Sequence, residues 1–268
     1  MKHEAIPERV FALCELVKNK STDEAVAKEF FEPAALKGSS YFSAVRDAAS
    51  QNQLGLINVI DKKISLAVDK GVVDSLETMR QYIISHIGRI KGSLFYETSQ
   101  AYFDLNEKVY QYSSVTDQAL MDALHENMTR HLDVDNMRAW RFWAAYLGFG
   151  HLARSATNQS QMNFLPNLYR YLQTAVLVSG LDKEKEYRID EFINAIQPFC
   201  DIAMKDSVNS RRLNMAMSYG LRMMHSNGEL ELRYQLDNKN LWYLYPCELH
   251  AIQSPVSHVT IRGVRYGF

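Results

Sequence analysis

LINVI (Leu56–Ile60) and ISLAV (Ile64–Val68), separated by Asp61-Lys62-Lys63, decide how this chain is read. Both runs are rich in aliphatic and β-branched residues, and polar turn residues lie between them. That pattern predicts two short antiparallel strands joined by a tight turn. Three helical patterns precede them. Pro7–Asn19 carries Val10, Phe11, Leu13, Cys14, Leu16 and Val17 as an apolar stripe at helical spacing, and Pro7 suits a first turn because its missing N–H costs nothing there. Ser21, with Glu24 three residues on, reads as a capping box for a second helix that Pro33 ends, with Val26, Ala27 and Phe30 expected to face inward. After Gly38-Ser39-Ser40, a third helix is expected over Tyr41–Gln53, with Phe42, Val45, Ala48 and Ala49 on one side.

The same order returns near the other end. Helical patterns at Ile189–Cys200 and Asn209–His225 lead to ELELRYQL (Glu229–Leu236) and LWYLYP (Leu241–Pro246), with Asp237-Asn238-Lys239-Asn240 expected as their turn. Val256–Val264 reads as a final strand. Between the two ends, Asp74–Leu181 is mostly helical, with Leu94–Tyr112 read as one helix. Thr116 is expected to cap Asp117–His131, Asp135 to cap Asn136–Leu147, and Pro166 to open a helix through Val178. Helices followed by a hairpin are the outline of a winged helix. The expected fold is therefore mainly α with small β-hairpins: a winged helix over 1–73, a helical middle over 74–185, and a second winged helix over 186–268.

Charge narrows the function classes. Net charge is −1 over 268 residues, and no part of the chain is basic: 1–73 carries 10 Lys and Arg against 10 Asp and Glu, 74–185 carries 11 against 12, and 186–268 carries 9 against 9. Sequence-independent DNA binding rests on phosphate neutralisation, so any DNA contact must come from a local cluster. The N-terminus has no apolar run of signal-peptide length, and no stretch approaches the roughly 18 apolar residues of a membrane span. A cytoplasmic location follows by elimination. Cys14, Cys200 and Cys247 are far apart and form no C-x-x-C pair, which fits buried thiols in a reducing compartment.

Two clusters qualify as DNA contacts. The first joins Ser39, Ser40, Tyr41 and Arg46 of the third helix to Lys62 and Lys63 of the turn. Hydroxyls and free N–H groups at a helix start suit phosphates, and lysines at a hairpin tip can pin a duplex. The second is Asn209-Ser210-Arg211-Arg212, with Arg222 further along. Arg and Asn read guanine and adenine edges, and paired arginines equally suit an acidic protein surface. WRFWAAYLGFGHL (Trp140–Leu152) has two tryptophans three apart, expected to be core, and Gly148 and Gly150 are expected to terminate its helix. The eight histidines form no H-E-x-x-H, and His125 and His131 are expected on different helix faces. No phosphate loop and no G-x-S-x-G elbow occurs. Neither a catalytic residue nor a metal site nor a cofactor is expected, and no cleft for a small substrate.

Taken together, the N-terminal module, the WRFWAAYLGFGHL segment and the terminal hairpin resemble DpdG-type proteins of bacterial systems that modify DNA with deazaguanine and restrict foreign DNA. The architecture alone also resembles the tandem winged-helix small subunits that bind kleisins. The resemblance implies a non-enzymatic accessory or adaptor subunit of a bacterial DNA-defence or DNA-processing complex. Its partners would be protein subunits and double-stranded DNA, with no membrane and the oligomeric state left open. The rival is a sequence-specific winged-helix transcription regulator, normally a dimer.

Overall fold

Pro7 opens α1 (Pro7–Val17), and the chain continues through β1 (Thr22–Asp23), α2 (Glu24–Phe31), α3 (Phe42–Ala49), β2 (Ile57–Ile60) and β3 (Lys63–Leu66). The structure is a computed structural model that describes residues 2, 4–33, 40–112, 117–154, 162–236, 239–247 and 254–263. The hairpin forms as read, with a tighter turn. Lys63 joins its strand opposite Ile60, leaving Asp61 (φ 49°) and Lys62 (φ 61°) as a two-residue loop. Left-handed angles at both positions match the right-handed twist of the strands. Ile57 and Ile64 are fully buried beneath the sheet, whose order is β1-β3-β2. The Ser21 capping box does not form: Thr22 and Asp23 are drawn into pairing with β3, so Asp23 stands at the N-cap without a side-chain bond. The third helix stops at Ala49, short of the expected Gln53.

The middle begins with α4 (Leu76–Ser85), capped reciprocally by Ser75 and Thr78, and a 3-10 turn follows at Ile87–Ile90. Next come α5 (Leu94–Asp104), α6 (Asp117–His125) and α7 (Val134–Leu147). The stretch read as one helix over 94–112 bends at Asn106 (φ 50°) and continues as a 3-10 segment. Asp133, not Asp135, caps α7, accepting from the Asn136 N–H at 2.7 Å; Thr116 lies outside the described residues. Gly148 (φ +87°) ends α7, where a Cβ would also meet the Tyr171 backbone nitrogen at 3.0 Å. An unanticipated antiparallel pair follows, β4 (Gly150–Arg154) with β5 (Met162–Pro166). Pro166 closes a strand here instead of opening a helix, and α8 (Tyr169–Val178) starts three residues later.

The last unit comprises β6 (Glu186–Arg188), α9 (Ile189–Cys200), α10 (Ser207–Ser210), α11 (Met215–Ser226), β7 (Leu230–Arg233) and β8 (His258–Ile261). The second hairpin is not the one the sequence suggested. β7 pairs with β8, and the sheet order is β6-β8-β7. Leu241–Pro246 has strand composition but makes only single bridges, Trp242 to Val256 and Tyr243 to Arg212. Its polar groups are committed elsewhere. Tyr243 exchanges backbone bonds with Arg211 and Leu213, and the buried Trp242 donates to Asp190 at 2.7 Å. Counted from α8, with the short α10 added, this unit repeats the N-terminal succession: helix, strand, helix, helix, strand, strand. Each sheet runs first-third-second. α8 packs against α9 and α11, as α1 packs against α3.

One hydrophobic core runs through the helices and sheets of both ends and the middle, with β1 and α10 contributing no residue to it. The tryptophans of the WRFWAAYLGFGHL segment lie in it, as expected. Trp140 is fully buried, donates to the Ser99 hydroxyl at 2.9 Å, and packs its ring on Tyr102 and Phe164. Arg80 ties the layers together from inside: it pairs with Glu77 at 2.5 Å and donates to Thr174 of α8 at 2.8 Å. The chain is thus mainly helical, with three small antiparallel sheets among the described residues. Among those residues no helix is long and apolar enough to cross a membrane.

Candidate nucleic-acid interface

The first cluster divides once its side chains are placed. Ser39 lies outside the described residues, and Ser40 is exposed just before α3. Tyr41 turns inward: its hydroxyl donates to the Phe31 carbonyl, and the Arg9 guanidinium sits 4.3 Å from its ring centre. The amide expected to meet a phosphate is already occupied, since Phe42 N–H donates to the Glu32 carboxylate at 2.6 Å. Arg46 is neutralised by Glu24 and by Asp47, the latter at 2.7 Å. The solvent side of α3 therefore presents Ser43 and Asp47 rather than a cation. Only Lys62 and Lys63 answer the expectation, exposed at the hairpin tip and without an ion pair among the described residues.

In the second cluster Asn209–Arg212 does not start a helix. α10 ends at Ser210, whose hydroxyl donates to the Asp206 carbonyl at 2.8 Å, and Arg211 breaks the chain with φ 52°. The next helix is capped by Asn214, which accepts from Met217 N–H at 2.9 Å. Arg211 and Arg212 sit on the connecting turn, both exposed. Arg212 lies 5.1 Å from the centre of the Tyr243 ring, a cation–π arrangement, and Asn209 is exposed beside them. Arg222 is lost to this surface: it is 1% exposed and donates to the Tyr245 carbonyl at 2.7 Å. Burial disfavours its charged form and lowers its pKa. Most of α11 is buried with it; Tyr219, Met223 and His225 are half-buried, and only the last residue, Ser226, is exposed.

Other surfaces were not singled out by the sequence. On α2, Val26 and Phe30 are one helical turn apart and 56% and 65% exposed, and Ile60 beside the hairpin turn is 67% exposed. Helical spacing placed Val26, Ala27 and Phe30 inward. Ala27 is buried as expected, but its inward neighbour is Phe31, because the eight-residue α2 turns the side carrying Val26 and Phe30 to solvent. His125 and His131 meet rather than diverge: His131 lies beyond the end of α6, and the rings stack 5.1 Å apart. Among the described residues no group of three or more His, Cys, Asp or Glu side chains is placed to hold a metal ion. Cys14 and Cys200 are buried, and burial pushes the Cys14 thiol up to about 12. A cavity of about 330 Å³ opens where the first unit meets the middle, against the expectation of no small-molecule cleft.

Comparison with protein-family models, with curated proteins and with solved structures gives no match for this chain.

Proposed function

We propose that the chain is a non-enzymatic adaptor: two winged-helix units around a helical middle, docking partner proteins and touching DNA only through its backbone. The repeated succession of elements and the shared first-third-second sheet order support reading both ends as winged helices. Within that reading the units are 1–73 and 186–268, the second completed by α8 from the middle region. The observation that carries the functional reading is the enclosure of α11, with Arg222 inside it. A winged helix that reads bases offers its third helix to the major groove. Here the third helix of one unit is buried, and that of the other shows solvent an aspartate and a neutralised arginine. The cations left in solvent, Lys62, Lys63, Arg211 and Arg212, sit on turns, where they suit phosphates or an acidic protein. The exposed Val26–Phe30 face suits a protein partner. The wider setting we propose, a bacterial DNA-defence or DNA-processing assembly, rests on the family resemblance.

The test is affinity purification of the native chain and of Val26→Glu/Phe30→Glu from its own cells. The adaptor reading expects defined protein subunits with the native chain and their loss with the variant, whose melting temperature stays unchanged. Recovery of the chain alone, together with tight binding to one short duplex, would overturn the reading in favour of a sequence-specific regulator.

A further inference from the structure

Protein interiors pack as densely as organic crystals, so an apolar void of ligand size is unusual. The cavity of about 330 Å³ between α3 and the helices of the middle region is one. It exists because α3 turns two small residues, Ala44 and Ala48, toward it, while α4, α5 and α7 supply Ile83, Phe95, Trp143 and Leu147 on the opposite walls. The volume falls at the lower end of the roughly 300–1,000 Å³ typical of small-molecule sites. Trp143 spends its only polar atom on the Ala5 carbonyl at 2.6 Å, so it offers the cavity hydrocarbon and π surface alone.

The polar rim is asymmetric. Lys2 and Arg130 line it with one carboxylate, Asp47, which already pairs with Arg46 at 2.7 Å. Arg130 is held loosely, its Nε 3.8 Å from the Glu97 carboxylate. The other oxygen of Glu97 is engaged by the Thr129 hydroxyl at 2.8 Å and by the Thr129 and Arg130 backbone amides. Lys2 has no ion pair among the described residues. The rim thus has positive charge to spare above an apolar floor.

We propose that this cavity binds an apolar monocarboxylate, a medium-chain or aryl-substituted acid, with its hydrocarbon against Trp143 and Phe95 and its carboxylate at Arg130 and Lys2. The site is independent of the adaptor role. It stands on the seam between the first unit and the middle, so a bound acid stabilises that contact by mass action.

Tryptophan fluorescence tests it on the full chain. A terminally brominated undecanoate quenches an indole that it touches. The proposal expects saturable quenching that decanoate reverses and that decylamine reverses about ten-fold less well, because the amine meets cations at the rim. Trp143→Phe should lose most of the saturable quenching while Trp140 and Trp242 still emit. Arg130→Glu should weaken decanoate about five-fold or more. Ala48→Phe, checked for native melting, should abolish binding by filling the space. Quenching that fails to saturate, that survives Trp143→Phe undiminished, or that decanoate and decylamine reverse equally would overturn the proposal.

Discussion

Replacing Gly220 tests whether α11 lies as close to α8 as its enclosure requires. A Cβ at this position would stand 2.7 Å from Leu172 Cδ1 and 3.0 Å from both the Leu168 carbonyl carbon and the Tyr169 nitrogen. Ordinary carbon contacts lie at about 3.5–4.0 Å, so the shortfall is about 1 Å at Leu172 and at least about 0.5 Å at the α8 backbone. Leu172 can swing its methyl aside; the backbone of α8 cannot. Overpacking of this kind costs about 1–3 kcal/mol, whereas replacing glycine by alanine in a helix returns about 1 kcal/mol of propensity. The net expectation for Gly220→Ala is a loss of about 1 kcal/mol. Gly220→Val places γ-carbons against α8 and recovers little propensity, for a loss of about 3 kcal/mol. Gly88 provides the control: nothing lies within 4 Å of its added Cβ, and Gly88→Ala should be neutral or stabilise by about 0.4–1 kcal/mol. Urea unfolding and thermal melts read the series, at about 2–4 °C per kcal/mol for a chain of this size. A Gly220→Ala protein more stable than native by the same amount as Gly88→Ala would refute the close approach, and with it the account of why α11 is shut away from solvent.

Other expectations rest on separate contacts. His225 Nδ1 accepts the Leu232 N–H at 3.0 Å, and burial lowers its pKa below 6.5 against a smaller opposing pull from Glu231. The unfolded chain then binds this proton first, so stability should be full above about pH 6.5 and decline as the pH falls toward the folded value. His225→Gln should flatten that part of a stability-versus-pH curve, and an unchanged curve would contradict the assignment. Arg141 is 8% exposed and held by both oxygens of Asp117, at 2.5 and 3.0 Å. Asp117→Asn should cost about 3 kcal/mol in urea unfolding, and Arg141→Met/Asp117→Leu should recover most of it, because the penalty is the stranded charge. Arg211→Glu/Arg212→Glu should lower the salt slope of DNA binding by about 2, whereas Arg222→Met should weaken folding and leave that slope alone.

Sequence periodicity located the features that are local. The hairpin around Asp61-Lys62 could be read because its strands, turn and register lie within ten residues. α9 matched from Ile189 to Cys200 because its apolar stripe and its ends are written in adjacent residues. What failed was pairing over distance. The partner of Leu230–Arg233 is His258–Ile261, on the far side of a long connection, and the more strand-like LWYLYP lies between them. β4 and β5 were missed because Gly148 and Gly150 read as helix terminators, whereas only Gly148 ends the helix; Gly150 is where a Cβ would strike the Leu165 carbonyl oxygen at 2.0 Å. In the candidate interface the turn lysines and Arg211-Arg212 were found by charge and turn chemistry. Arg222 was misplaced because an arginine in a helix is usually solvated. Its burial depends on the carbonyl of Tyr245, which no local pattern announces.

The claim that neither third helix reads bases is tested most directly by selecting bound duplexes from a random-sequence pool at one fixed salt concentration and measuring the affinity ratio of the best selected site to an arbitrary one. Backbone-only contact expects no consensus and a ratio below about ten. A consensus site bound about a thousand-fold tighter or more would contradict it.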